Sequence, residues 1–273
     1  ARARRRRAPR AEHPRVCRDR RPTHPRKLNR SMSAFGTELR RNEFGHLDST
    51  VVRLNHGSYG AAPRCVLEQQ AALRDAQHSN PDLFLGPVLG TKMAEARTAV
   101  ASLMGGDADS YALLDNATTG ASTVALHIAA RFQSGEYARG DRILVTRWMY
   151  DSCFKAFHHY CGSLGAVFVV IDLPGPPITS IDEVVAAFRT ALARIDDPWK
   201  AFDDRTGVNT DRFGHLPLHD HEHSPIRLAC LDHIPSACPY ILPLERIVPI
   251  LRDTGVQEIF IDGAHGERTS FAV

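Results

Sequence analysis

From about residue 50 onward the sequence alternates short β-rich runs with stretches of helical periodicity. That alternation constrains the chain more than any other feature, because it is the signature of an α/β fold built on a mainly parallel sheet flanked by helices. A short apolar run at 51–54 enters the Gly-containing turn Asn55-His56-Gly57-Ser58-Tyr59-Gly60. Helices are predicted over 63–78, with Val66, Leu67, Ala71 and Leu73 as the apolar stripe, and over 89–104, stopped by Gly105-Gly106. A strand is expected at 111–114, a helix at 119–132 and a strand at 142–146. A helix at 151–160, a buried strand at 166–173 and an amphipathic helix at 181–195 follow. After a polar insertion loop at 196–226 come a strand at 227–231, a helix at 244–253 closed by Gly255, and a strand at 258–261.

Charge divides the chain more sharply than its total suggests. Of 34 Lys+Arg and 31 Asp+Glu, residues 1–30 hold 13 basic and two acidic side chains, which leaves 21 basic against 29 acidic in the remainder. So acidic a body does not suit nucleic-acid backbone as its main ligand, although the basic tail could bind polyanions. The longest apolar run, Ala166 to Ile171, is far short of the roughly 18 residues that cross a bilayer, so no membrane association is expected. The six cysteines form no C-x-x-C pair, which makes free thiols in a reducing compartment the default. Residues 1–31 carry too little apolar content to offset their ordering entropy and are expected to be disordered. Met32 is available as a start, so upstream sequence foreign to the natural protein is favoured for this tail, beside an organelle transit peptide and a basic interaction arm. The expected layout is the tail at 1–31, an N-terminal arm and substrate loop at 32–60, and a large domain at 61–273.

Four motifs carry chemistry. In Asp115-Asn116-Ala117-Thr118-Thr119-Gly120, small and hydroxylated residues between an apolar run and a helix leave backbone N–H groups free for an anion such as phosphate. An ordinary Asn or Thr N-cap is the plainer reading. Asp262, with His265 three residues on, stands at a strand end where α/β proteins place their ligands. It can hold a protonated ring nitrogen, cap a helix, ligate a metal or serve structure alone. Asp232-His233-Ile234-Pro235-Ser236 closes a strand expected to lie beside the one carrying Asp262. Tyr150 offers a flat ring at a strand-to-helix turn, or is a core or surface aromatic. An anion cradle, an aromatic lid and a carboxylate together describe a site for pyridoxal 5′-phosphate (PLP), whose pyridinium commonly takes an Asp partner. No G-x-x-x-x-G-K-[ST] or G-x-G-x-x-G sequence supports a nucleoside triphosphate or dinucleotide.

The order of Leu54-Asn55-His56-Gly57-Ser58-Tyr59-Gly60, Asp115 to Thr119, Asp232 to Ser236 and Ile261-Asp262-Gly263-Ala264-His265 resembles the class V aminotransferase family of fold-type I PLP enzymes. Within that family the isopenicillin N epimerase-like group and the plant L-cysteine desulfhydrase-like proteins are most similar. The resemblance implies an aspartate aminotransferase-like large domain. It matches Ala117, Thr118 and Thr119 to the phosphate-holding segment and Tyr150 to the ring-stacking aromatic. Asp262 matches the carboxylate on the ring nitrogen and His265 the residue close to the ring hydroxyl. Asp232 and Ser236 match the neighbouring strand-end loop, and Asn55, His56 and Tyr59 the loop that approaches the substrate.

The family's Schiff-base lysine falls a few tens of residues beyond this Asp, and none of Lys27, Lys92, Lys155 and Lys200 matches it. The family's C-terminal small domain is not matched either. The expectation is therefore a fragment unable to turn over, taken from a complete enzyme that is a homodimer in the cytoplasm, or in a plastid or mitochondrion if the tail is a transit peptide. Its expected reaction is cysteine desulfhydrase-like α,β-elimination on an amino acid. Epimerisation or transamination is the alternative within the family, and a catalytically inactive binding homologue the alternative outside it. His215, His219, His221 and His223 satisfy no firm metal-ligand spacing, so a solvated loop is preferred there and no metal is expected.

Overall fold

The computed structural model describes residues 36–193 and 224–266. The basic tail, the His215–His223 cluster and Lys200 lie outside the described residues. By its internal contacts the chain divides into two compact units, one ending at Ala94 and the other beginning at Glu95.

The first unit is helical. Helix α1 (Thr37–Phe44) packs against α2 (Arg64–Ser79), and Glu43 of α1 accepts a hydrogen bond from the Cys65 backbone N–H at 3.0 Å. A carboxylate at a helix N-terminus satisfies an orphan donor and complements the helix dipole. The one-turn α3 (Pro81–Leu83) is capped by the Asn80 side chain on the Leu83 N–H, and a π turn at Phe84–Val88 leads into α4 (Leu89–Met104), which spans the residues predicted for it.

The second unit is built on four parallel strands, β1 (Arg142–Thr146), β2 (Val167–Ile171), β3 (Ile226–Asp232) and β4 (Glu258–Asp262), in the order β2-β1-β3-β4. All five residues of β1 are buried, as expected of a central strand covered on both faces. Alternation along the strands divides the core in two. Leu144, Ala229 and Leu231 face α7 (Ile181–Ala193) and α8 (Leu244–Asp253), while Ile143, Val145, Leu228 and Cys230 face α5 (Ala117–Gln133) and α6 (Asp151–Phe157). The predicted α/β class and parallel sheet are what the structure has.

Two local expectations are corrected. The 111–114 run is not a strand: it follows a 3-10 turn at Ala108–Ser110 and joins no ladder among the described residues, and Leu114 is left half exposed. Apolar character alone does not make a strand without a neighbour to supply hydrogen bonds. The helix expected over 151–160 is regular only to Phe157 and continues as a π turn, His158–Gly162.

Candidate functional site

Both acidic strand ends fall on one face of the sheet. Asp262 follows Phe260 and Asp232 follows Cys230 by two residues, so both side chains leave the sheet on the α5/α6 side. The strand register pairs Asp232 with Asp262 directly, as the sequence anticipated for adjacent strands. They are 4% and 8% exposed. No described Lys, Arg or His forms an ion pair with either, and Asp232 Oδ2 is buried with no hydrogen-bond partner among the described residues.

The other three carboxylate oxygens each accept a hydrogen bond. Asp262 Oδ1 accepts from the Ala264 N–H at 2.9 Å and Oδ2 from the Cys153 thiol at 3.2 Å. Asp232 Oδ1 accepts from the Tyr150 N–H at 3.4 Å. Burial first, and then the Asp262 charge, push the Asp232 carboxyl up to about 7. Burial, reinforced by the hydrogen bond to Asp262, pushes the Cys153 thiol up to about 12, so it remains a donor.

The orientation of α5 follows from its far end. Arg131 near its C-terminus pairs with Glu258 at the amino end of β4, and Tyr137 also donates to Glu258, at 2.6 Å. Helix α5 packs against both β4 and α6. The stretch from Ala117 to Arg131 spans about 20 Å of helix, against about 13 Å from Glu258 to Asp262 along the strand. The first turn of α5 therefore points to the carboxyl end of the sheet. Asn116 caps it, accepting from the Thr119 N–H at 2.8 Å and the Thr119 hydroxyl at 3.1 Å. The N–H groups of Ala117 and Thr118 have no partner among the described residues. The structure has the plain N-cap, and that cap uses only one of the first-turn N–H donors.

Tyr150, 45% exposed, sits at the N-cap of α6 beside the carboxylates. His265 is partly buried in the turn after β4, and Ser236 is exposed in the turn after β3. Asn55, His56 and Tyr59 are exposed and belong to the first unit, where the Tyr59 N–H donates to the Asn55 carbonyl at 3.0 Å and Arg53 donates to the Tyr59 carbonyl at 3.1 Å. Tyr150, Asp232 and Asp262 are therefore brought together within the second unit.

Two residues were not singled out from sequence. Cys153 lies one helical turn after Tyr150, a spacing that puts both on one side of α6, but its burial against β4 is not readable from that spacing. His233 is 4% exposed, its backbone N–H donates to the Asp262 backbone carbonyl at 2.8 Å, and burial lowers the pKa of its imidazole. A Cβ on Gly266 would come within 2.5 Å of His233 Nδ1, so the chain leaving β4 needs a residue without a side chain where it crosses this imidazole.

No protein-family model matches the chain. The chain is 35% identical over 226 residues to the putative L-cysteine desulfhydrase 2 of Oryza sativa subsp. japonica, a match that covers 82% of this chain and 42% of that protein. It is 26% identical over 219 residues to the isopenicillin N epimerase of Streptomyces clavuligerus, covering 80% and 45%. The chain thus spans less than half the length of these curated relatives. Among solved structures, C-DES with glycine covalently linked to its PLP cofactor superposes with a TM-score of 0.54 at 18% identity, over 84% of this chain and 50% of that one. The structural likeness shows a PLP-dependent transferase fold, and the sequence similarity to L-cysteine desulfhydrases and isopenicillin N epimerase fits the class V aminotransferase-like family.

Proposed function

We propose that this chain carries the cofactor-binding part of a PLP-dependent enzyme that cleaves the C–S bond of cysteine or a related amino acid by α,β-elimination. The observation that supports it most is the pair of buried carboxylates, Asp232 and Asp262, at paired strand ends with no cation of the described chain to neutralise them. Two such groups are costly to bury together unless a positive group joins them. A pyridinium supplies that charge, and the orphaned Asp232 Oδ2 and the unused first-turn donors of α5 fit the rest of the cofactor.

In this reading Asp262 holds the proton on the ring nitrogen. The Ala117 and Thr118 N–H groups, with the Thr118 hydroxyl and the Thr119 hydroxyl once it turns from Asn116, bind the phosphate at the positive end of the α5 dipole. Tyr150 covers the ring and excludes water from one side of it, His265 donates near the ring hydroxyl, and Ser236 borders the same strand end as Asp232. Asn55, His56 and Tyr59 are proposed to meet the substrate. Bound in this way, PLP supplies an electron sink for the electrons released at the substrate α-carbon. The complete enzyme is proposed to be a cytoplasmic homodimer, or a plastid or mitochondrial one if the basic tail is a transit peptide. No described helix is long and apolar enough to cross a membrane.

Titration of PLP into the chain, followed by cofactor absorbance and tryptophan quenching, is expected to show saturable binding that weakens at least tenfold in Asp262→Asn. Absence of saturable binding sinks the reading. In the whole protein, L-cysteine is expected to yield sulfide, pyruvate and ammonia in equal amounts.

A further inference from the structure

Helix α6 touches both carboxylates from a single turn. The Tyr150 N–H at its N-cap reaches Asp232, and the Cys153 thiol, three residues on, reaches Asp262 Oδ2. Cys153 is 1% exposed, and among the described residues the Asp262 carboxylate has just one other hydrogen-bond partner, the Ala264 backbone N–H on Oδ1. These two donors lie on different elements, α6 and the turn after β4, and grip opposite oxygens, so together they fix the rotation of the Asp262 carboxylate. Beside them the unpartnered Asp232 Oδ2, in a residue 96% buried, marks the open polar position of the cluster and points to a ligand there.

We infer that Cys153 is a positioning residue of the cofactor site: its thiol donates to Asp262 Oδ2 and fixes the carboxylate in the orientation in which it meets the ring nitrogen. This rests on the PLP reading above and adds to it a residue whose role the motifs do not contain. The thiol suits the task better than a charged donor would. It supplies a weak hydrogen bond without a positive charge, so the negative charge of Asp262 remains available to the pyridinium. Its ionisation is held far above neutrality by burial and by Asp262 itself, so it stays a donor and does not act as a nucleophile. Because Tyr150 and Cys153 belong to one helical turn, the aromatic cover and the charge partner of the ring are held in a common frame.

The test uses the 273-residue chain with PLP as the probe, in Cys153→Ala, Cys153→Val and Cys153→Ser, with circular dichroism to confirm folding. Loss of a hydrogen bond to a charged group is expected to weaken PLP binding roughly tenfold in the Ala and Val variants, and Ser, which keeps an O–H donor, is expected to restore it to within about threefold. A second readout needs no cofactor. The infrared S–H stretch of the unliganded chain is expected to contain a component at lowered frequency that disappears in Cys153→Ala and shifts upward in Asp262→Asn. A role in packing alone predicts that Val, similar in volume, binds PLP as well as wild type does, and that outcome overturns the inference. An S–H spectrum unchanged by Asp262→Asn overturns it as well. If the wild-type chain itself fails to bind PLP, the proposed function falls and this role of Cys153 falls with it, whereas wild-type binding with no loss in Cys153→Ala removes this inference alone.

Discussion

Asp232 and Asp262 stand opposite each other as register partners at the carboxyl ends of adjacent parallel strands, both nearly fully buried and both on the α5/α6 face of the sheet. Neither has an ion-pair partner among the described residues. The sheet thus concentrates negative charge at the end where parallel α/β folds bind ligands, while the Asp141–Arg227 and Arg131–Glu258 pairs satisfy their charges locally at the other end.

That arrangement gives stability a pH dependence of definite sign. Asp232 titrates near 7 in the folded chain against an ordinary 3.8, because of burial and then of Asp262. Between those values the folded chain binds more protons than the unfolded chain, so stability falls as pH rises from about 4 to about 7 and levels off above. Each unit of separation corresponds to about 1.4 kcal/mol. Asp232→Asn removes the group and is expected to be more stable than wild type at pH 8 and to lose most of the decline. Urea unfolding at pH 5 and pH 8 checks this, and an equal decline in both proteins contradicts it.

The described cysteines are free thiols that differ in their access to reagents. Cys153 and Cys161 are buried and their thiols are pushed up to about 12, whereas Cys65 is partly exposed. At pH 8 a thiol of pKa 12 is ionised to roughly one part in 10⁴. Alkylation by iodoacetamide at pH 8, mapped by mass spectrometry, is therefore expected to label Cys65 well before Cys153, Cys161, Cys230 or Cys238. Rapid labelling of Cys153 in the folded chain contradicts the buried donor described above.

What was legible in the sequence was what local pattern controls. Helices 89–104 and 244–253 and strand 142–146 have the bounds that their apolar spacing and stop signals indicate, since Gly105, Gly255 and a fully apolar centre act within a few residues. The pairing of the strands ending at Asp232 and Asp262 followed from the α/β pattern. The strand expected at 111–114 failed because a ladder needs a neighbour, which composition does not reveal. Cys153 was hidden for a related reason: its contact with Asp262 joins positions 109 residues apart and depends on how α6 crosses β4.

Asn116 separates the two readings of the α5 N-terminus. Its side chain accepts from both the N–H and the hydroxyl of Thr119, which makes it a helix cap, while the N–H groups of Ala117 and Thr118 have no partner among the described residues. Asn116→Ala loses the cap and is expected to cost about 1 kcal/mol of stability. Asn116→Asp caps as well as Asn and is favoured by the helix dipole, so stability is expected to hold or rise slightly. A carboxylate beside the first-turn donors nevertheless repels a phosphate. PLP binding should therefore weaken in Asn116→Asp even though the helix is intact, and pyridoxal, which lacks the phosphate, should be affected far less. If this turn is only a cap, Asn116→Asp leaves the affinities for PLP and pyridoxal in the same ratio as in wild type. Paired thermal melts and titrations of the two ligands decide between them, because the substitution keeps the hydrogen-bond acceptor that caps the helix and replaces the amide NH2 with a negative charge that a phosphate would meet.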